Sequence, residues 1–479
     1  KQRPHKPKRH DVPVKRSERA NRVPGEIWDV TDLTEFAEGK IANIFGPEYA
    51  EIDNYRRRTR LPTTEYLLVT RVTELDAEMG VFEPCSMTTE YDIPYDAWYA
   101  VDGQIPWAVS VESGQCDLLL ISYLGIDFDC RGDRVYRLLD CTLSFMDDIP
   151  MEGDTLRYEI SINSFANQGD KLLFFFSYDC YVGDVLKVKM TGGAAGFFTD
   201  EELDAGKGVI QTEDEKAARA KIVKQSFTPL LTCEKTAFDD SDMLKICSGD
   251  WAGVFGSDYD QGGLNTGLVF SAPKMLMIER ITQVDRTGGA WGLGLIVGEK
   301  TLAPDHWYFP CHFKNDEVMA GSLMSDGCGQ MLRFFTMWLG LQTATTSARF
   351  QPIPGDGQQV RCRGQVNPQH GTLTYRMEIT EIGMEPYPYA KANVDIILNG
   401  KVVVDFRNLG LYFKDGYTED AVGDAIEVRV SDSATPKHPA AHALAGVNGS
   451  AMPHYAEGLY EPRTPPFQPF AGDARDVNT

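Results

Sequence analysis

The 479-residue chain is short of most features that announce a chemistry. Its ten cysteines include no CxxC pair and no dense spacing, which argues against a disulfide frame or a thiolate zinc site and for reduced thiols in a cytoplasmic protein. No apolar run approaches the roughly 20 residues that a membrane helix needs, so no membrane association is expected. No Gly-rich phosphate loop with a following Lys occurs, and no Gly-x-Ser-x-Gly elbow, which argues against nucleotide use and against a serine hydrolase. Positive charge is scarce: 47 Lys and Arg face 70 Asp and Glu, and the net charge of -23 disfavours non-specific nucleic-acid binding. The first ten residues, Lys1 to His10, are basic with no apolar stretch behind them, so no secretory signal is expected there. They also lack an initiator Met, as a piece of a longer polypeptide would.

What is present suffices for sizeable cores: 42% of residues are hydrophobic and 24% charged, as in ordinary globular proteins. Residues 1–25, rich in Lys, Arg and Pro, and 431–479, rich in Ala, Pro, Ser and Gly, are expected to be linkers, because neither can bury enough surface to offset the entropy of ordering. Between them lies an internal repeat. Ala42, Phe45, Gly46 and Tyr49 meet Ala252, Phe255, Gly256 and Tyr259 at a constant offset of 210. Arg71–Asp76 meets Arg280–Asp285 at 209, as Trp98-Tyr99 meets Trp307-Tyr308. Leu124-Gly125 meets Leu339-Gly340 at 215. Two copies of one domain are therefore expected, over 26–215 and 216–430.

Each copy reads as a short helical opening, two extended segments (Glu65–Val72 and Met79–Tyr91; Met275–Ile281 and Ala290–Val297), one apolar helix (about 107–124 or 322–339) and a closing run of strands. In the second copy those strands are Gln359–Val366, Thr372–Ile382, Tyr389–Leu398 and Lys401–Phe413. The Met-rich run Lys274–Ile278 reads as core strand. One long helix among antiparallel strands is an α+β pattern. The helix is apolar on nearly every face, so it must be buried, here by a sheet wrapped around it.

Of eight histidines, five (His5, His10, His438, His442, His454) fall in the linkers. His370 follows a turn and is expected in solvent; His306 matches Ala97 of the first copy, so the fold does not require it. His312 precedes the apolar helix, a place that suits either a structural histidine or a base. Asp326 follows on the first turns of that helix, where it either serves as an acid or favours the helix dipole. Ala320-Gly321-Ser322 should form the helix N-terminus, whose free N–H groups can bind developing negative charge, with Gly321 admitting a close substrate. A base, an acid and an oxyanion site together suit proton abstraction beside a carbonyl. Spacing alone leaves both readings open. The basic run Tyr55–Arg60 reads either as a docking site for an acidic partner or as a solvated charge cluster.

The stretch Trp307-Tyr-Phe-Pro-Cys-His-Phe-Lys-Asn-Asp-Glu-Val-Met-Ala-Gly-Ser-Leu-Met-Ser-Asp326, followed by Gln330 and Leu339-Gly340, resembles the active-site motif of the FabA-type 3-hydroxyacyl carrier-protein dehydratases. The resemblance runs from Ala272 to Phe413; Ala320 stands where that family usually has Pro. It implies a hot-dog fold, a sheet wrapped around a central helix. It also implies no metal or cofactor, and paired hot dogs whose sites each take His from one and the acid from the other. Two fused copies resemble the double hot-dog dehydratase regions of polyunsaturated fatty acid synthases. A tandem, intramolecular pseudo-dimer is thus implied, with acyl carrier protein domains and neighbouring synthase domains as partners.

The first copy departs from this pattern. The offset grows from 209 to 215 between the Trp-Tyr and Leu-Gly pairs, and most of the missing residues fall opposite Pro310–Asn315. The first copy has no counterpart of His312. It keeps an acid, Glu112, six residues after Pro106, as Asp326 is six after Ala320. Counted back from Leu124-Gly125, however, Val111 meets Asp326; a one-residue deletion after Glu112 reconciles the two counts. By the resemblance, His312 removes a C2 proton, Gly321 and Ser322 bind the thioester oxygen, and Glu112, with Asp326 as second choice, protonates the leaving hydroxyl. A carboxyl that still holds its proton near neutral pH needs burial. Some members of the family also move the double bond from C2 to C3. The alternatives are an inactive pseudo-dehydratase that organises synthase domains and a hot-dog thioesterase.

Overall fold

The computed structural model describes residues 25–168 and 171–417; the two expected linkers and their five histidines lie outside these residues, Gly25 excepted. The first copy contributes β1 (Arg71–Asp76), β2 (Cys85–Asp92), β3 (Val135–Phe145), β4 (Thr155–Gln168), β5 (Lys171–Val182) and β6 (Val185–Phe198). The second contributes β7 (Arg280–Asp285), β8 (Leu295–Leu302), β9 (Arg349–Pro352), β10 (Gly357–Cys362), β11 (Gly371–Gly383), β12 (Tyr389–Leu398) and β13 (Lys401–Lys414). They form one sheet in the order β1-β2-β4-β5-β6-β3-β10-β13-β12-β11-β8-β7, with β9 beside β13. The order of equivalent strands reads the same from both ends, as in two α+β hot dogs joined at one seam.

That seam is the antiparallel pair β3–β10, where Cys141 faces Val360 and Asp140 faces Arg361. Arg363 reinforces it, donating to the Leu139 carbonyl and to the Asp140 carboxylate. One apolar core runs through both copies. The alternating burial of β12 and β3 explains the closing strands: every second residue faces the core. No helix among the described residues is long and apolar enough to cross a membrane.

The central helix of the second copy, Gly321–Trp338, is continuous, and all its residues except Gly321 and Ser325 are buried. Its counterpart is broken into Trp107–Glu112 and Asp117–Tyr123, where one helix over 107–124 was expected. The break falls at Ser113–Cys116. A Cβ on Gly114 would lie 2.6 Å from the Tyr178 ring. Tyr158 Oη donates to the Ser110 carbonyl at 2.6 Å, and Ser113 Oγ donates to the Leu68 carbonyl. Tyr158, and Tyr178 through the Val111 carbonyl, thus take up carbonyls at the interrupted end of the helix.

The break also accounts for the one-residue discrepancy. Pro106 and Ala320 each cap their helix in an extended conformation, at offset 214. Tyr49 Oη donates to the Tyr123 carbonyl and Tyr259 Oη to the Trp338 carbonyl, at offset 215 for the acceptors. The deletion therefore lies between these points, and Glu112, still in the first segment, is the counterpart of Asp326.

Two other expectations change. Lys274–Ile278 supplies core residues but no strand: β7 begins at Arg280. Gln330, not a neighbouring strand, satisfies this backbone, accepting from Met277 N at 2.9 Å and donating to the Met275 carbonyl at 2.8 Å. In the first copy, β1 likewise begins at Arg71 and not at Glu65. The expected boundary between residues 215 and 216 falls inside the helix Glu213–Ala220, part of a segment that crosses from one copy to the other.

Candidate active site

His312 ends the short helix Tyr308–Cys311, on the loop that leads to the central helix. Val318 grips it twice. Val318 N donates to the His312 carbonyl at 2.7 Å, and His312 Nδ1 lies 2.8 Å from the Val318 carbonyl. A carbonyl only accepts, so Nδ1 carries the proton of the neutral ring and Nε2 presents a lone pair. The turn between is closed by reciprocal hydrogen bonds between Phe313 and Asp316, with Asn315 at φ 66°.

A residue of the first copy fastens this turn. Arg137, on β3, makes a bidentate pair with Asp316 at 2.7 and 2.8 Å and also donates to Gln365. Burial alone would raise the Asp316 carboxyl, but the Arg137 guanidinium outweighs it and holds it below the ordinary carboxylate range.

Glu112, at the end of Trp107–Glu112, faces the histidine across the copies. Its Oε1 lies 3.4 Å from His312 Nε2, and both residues are 8% exposed. Its Oε2 accepts from Ser322 Oγ at 2.6 Å. A separation of 3.4 Å is long for a hydrogen bond and common between catalytic groups without substrate. These residues line a cavity of about 870 Å³, open solvent at its mouth included. Its lining is largely apolar and includes Leu118 of the helix Asp117–Tyr123, Leu143 of β3, Val360 of β10 and Val404 of β13. Gly321 borders it at the N-terminus of the central helix, and Met324 N is the first amide there to find an intrahelical partner, on Ala320. The amides before it are the free donors that an oxyanion site requires.

Asp326 is not brought to His312. It lines a smaller cavity of about 370 Å³ with Gln104, Ser271 and Arg333. It is 1% exposed, and its Oδ2 accepts from Gln330 at 2.8 Å. Burial raises its carboxyl, partly offset by Arg333. This cavity is the counterpart of the first. Trp107 stands where the second copy has Gly321; its ring packs 5.6 Å from Phe145, under the Arg333 guanidinium. Sequence reasoning missed this replacement, although the offset of 214 that pairs Glu112 with Asp326 also pairs Trp107 with Gly321. It missed Arg137 and Tyr66 as well.

The remaining candidates lie elsewhere. His306 Nδ1 is 2.8 Å from Tyr308 Oη, and burial lowers its pKa. His370 is exposed in the turn before β11. In the basic run, Arg58 and Arg60 are structural: they donate to the Phe36 and Ala37 carbonyls at the C-terminal end of the helix Val30–Glu38. Arg56 and Arg57 both pair with Asp200, and the Arg56 side chain is 69% exposed.

Residues 270–407 match the FabA-like domain. A polyunsaturated fatty acid synthase subunit of a Thraustochytrium species is 44% identical over 520 aligned residues, covering 94% of this chain and 34% of the relative. The chain thus spans about a third of the length of the curated relative it matches. Among solved structures, the dehydratase domain from the CurJ module of curacin polyketide synthase covers 72% of this chain and 96% of its own, at 12% identity and TM-score 0.39. A putative oleoyl thioesterase from Lactobacillus plantarum covers 70% and 97%, at 8% identity and TM-score 0.37. At these scores neither structure bears on activity. Residues 270–407 are thus similar to the FabA-like domain, and the chain carrying them is similar to about a third of the Thraustochytrium polyunsaturated fatty acid synthase subunit.

Proposed function

We propose that the chain is a hydro-lyase that dehydrates 3-hydroxyacyl thioesters on a carrier protein to trans-2-enoyl thioesters, within a fatty acid synthase. The observation that carries the reading is the pair His312 Nε2 and Glu112 Oε1, 3.4 Å apart in the lining of a largely apolar cavity. The thioester oxygen sits on the free amides at Gly321 and Ser322, which makes C2 more acidic. His312 Nε2 takes the C2 proton, the C2–C3 double bond forms, and the C3–O bond breaks. Glu112 gives its proton to the departing hydroxyl, which leaves as water. The proton on Nε2 then returns to Oε1, and the pair is restored.

Asp326 takes no part in this scheme, and the chain has one working site. The test is a hydration and dehydration assay on crotonyl and 3-hydroxydecanoyl thioesters. Formation of the enoyl thioester by the wild type, lost in His312→Ala, supports the reading. Release of free acid would indicate a thioesterase, and inactivity of both forms would indicate a pseudo-enzyme.

A further inference from the structure

We propose that Tyr66, from the copy without a histidine, is a positioning residue: acting through Ser322, it fixes which oxygen of Glu112 delivers the proton. The inference rests on the dehydratase reading above. The observation is a chain of polar contacts. Tyr66 Oη lies 3.1 Å from Ser322 Oγ, Ser322 Oγ donates to Glu112 Oε2 at 2.6 Å, and Glu112 Oε1 faces His312 Nε2. The direction of the chain follows from its end. Ser322 spends its only hydroxyl proton on Glu112, so toward Tyr66 it can only accept, and the phenol must donate. With Oε2 occupied as an acceptor, the carboxyl proton belongs on Oε1, the oxygen that faces the base.

Three observations favour a role in the reaction over a role in packing. First, the Tyr66 ring is held without its hydroxyl: it packs edge-on to Trp307 at 5.5 Å, and Trp307 is itself braced by Trp98. Second, burial, and then the charge of Glu112, push the Tyr66 phenol well above its ordinary range, so it stays a neutral donor at every working pH. Third, the pseudo-symmetric cavity around Asp326 lacks this chain of hydroxyls. At offset 209 Tyr66 meets Met275, and at offset 214 Ser322 meets Ala108. The two hydroxyls, one from each copy, thus meet only beside His312 and Glu112.

Other titratable groups face Glu112: Cys311 and His312 at the end of the short helix Tyr308–Cys311, Cys116 and Asp117 at the start of the next helix, Tyr136 from β3 and Tyr178 from β5. Among the described residues, only Ser322 donates a hydrogen bond to its carboxyl. Ser322→Ala removes this donor, and a donated hydrogen bond favours the charged form of a carboxyl over the neutral one.

The test compares the wild type, Tyr66→Phe, Ser322→Ala, Ser322→Thr and the Tyr66→Phe/Ser322→Ala double variant across a pH range, with 3-hydroxydecanoyl thioester as substrate. Tyr66→Phe should lower kcat about three- to tenfold, the size of one hydrogen bond, with little change in KM. In the Ser322→Ala background the same change should cost nothing more, because the phenol has lost the group through which it acts. The alkaline limb of the pH profile should move to higher pH in Ser322→Ala and return in Ser322→Thr, which keeps the hydroxyl. Wild-type kcat and pH profile in Tyr66→Phe would overturn the inference alone. So would equal losses from Tyr66→Phe in both backgrounds, or a Ser322→Thr variant no better than Ser322→Ala. An inactive wild type would overturn the dehydratase reading, and the inference with it.

Discussion

A Cβ built on Gly321 meets nothing within 4 Å, and the backbone there is the first turn of an ordinary helix. The fold therefore tolerates alanine at this position, while the space beside the free amides does not. Gly321→Ala should leave the thermal midpoint unchanged or higher and lower kcat/KM by about tenfold or more, the cost of one methyl group against a bound acyl group. A melt and steady-state kinetics on one preparation check both halves of this prediction. At the same scale, position and spacing to Gly321 left His312 open between a structural histidine and a base, and only the resemblance to the FabA-type motif singled it out. Glu112 was legible only through the gap arithmetic between the copies. Tyr66 was not legible, because a tyrosine opposite a methionine in the repeat carries no pattern until the fold sets its hydroxyl on Ser322.

Among the elements, the loop from His312 to Ala320 depends on the other copy. Arg137 closes on Asp316, and without it a buried carboxylate would stand unpaired, at a cost of about 3 kcal/mol. Arg137→Ala should destabilise the chain by that order in denaturant titration and lower kcat by loosening the turn that holds His312. The sign of the pH dependence follows from the depressed Asp316 carboxyl. Its contribution is complete above the unfolded value of about 3.9 and is lost as pH falls through the lower folded value. Wild-type stability should thus fall more steeply below about pH 4 than that of Arg137→Ala, as melts across that range would register. The closing strands β10 to β13 were legible because alternation and turn residues bound them. Lys274–Ile278 was misread because burial made it resemble a strand, whereas a single side chain, Gln330, bonds its backbone. The broken helix was missed because Gly114 alone does not signal a break; the tyrosines that replace the helical bonds come from β4 and β5.

Over the whole molecule, the FabA-like residues 270–407 hold His312, the proposed base, but not Glu112, the proposed acid. Glu112, Arg137 and Tyr66 all belong to the other copy, and β10 needs β3 to close the sheet edge at the seam. The second copy expressed alone should lack dehydratase activity even where it remains folded, and assay of the two halves together and apart would show this. The doubling of the fold was legible from the constant offsets, and the continuity of its sheet across β3–β10 was not, because strand pairing between distant segments leaves no mark on local sequence. The central claim is that base and acid come from different copies and meet once. It is tested most directly by dehydration of 3-hydroxydecanoyl thioester by Glu112→Gln and Asp326→Asn, each checked for a native melt. The account predicts that Glu112→Gln loses at least about a hundredfold in kcat while Asp326→Asn retains turnover; an active Glu112→Gln beside an inactive Asp326→Asn would contradict it.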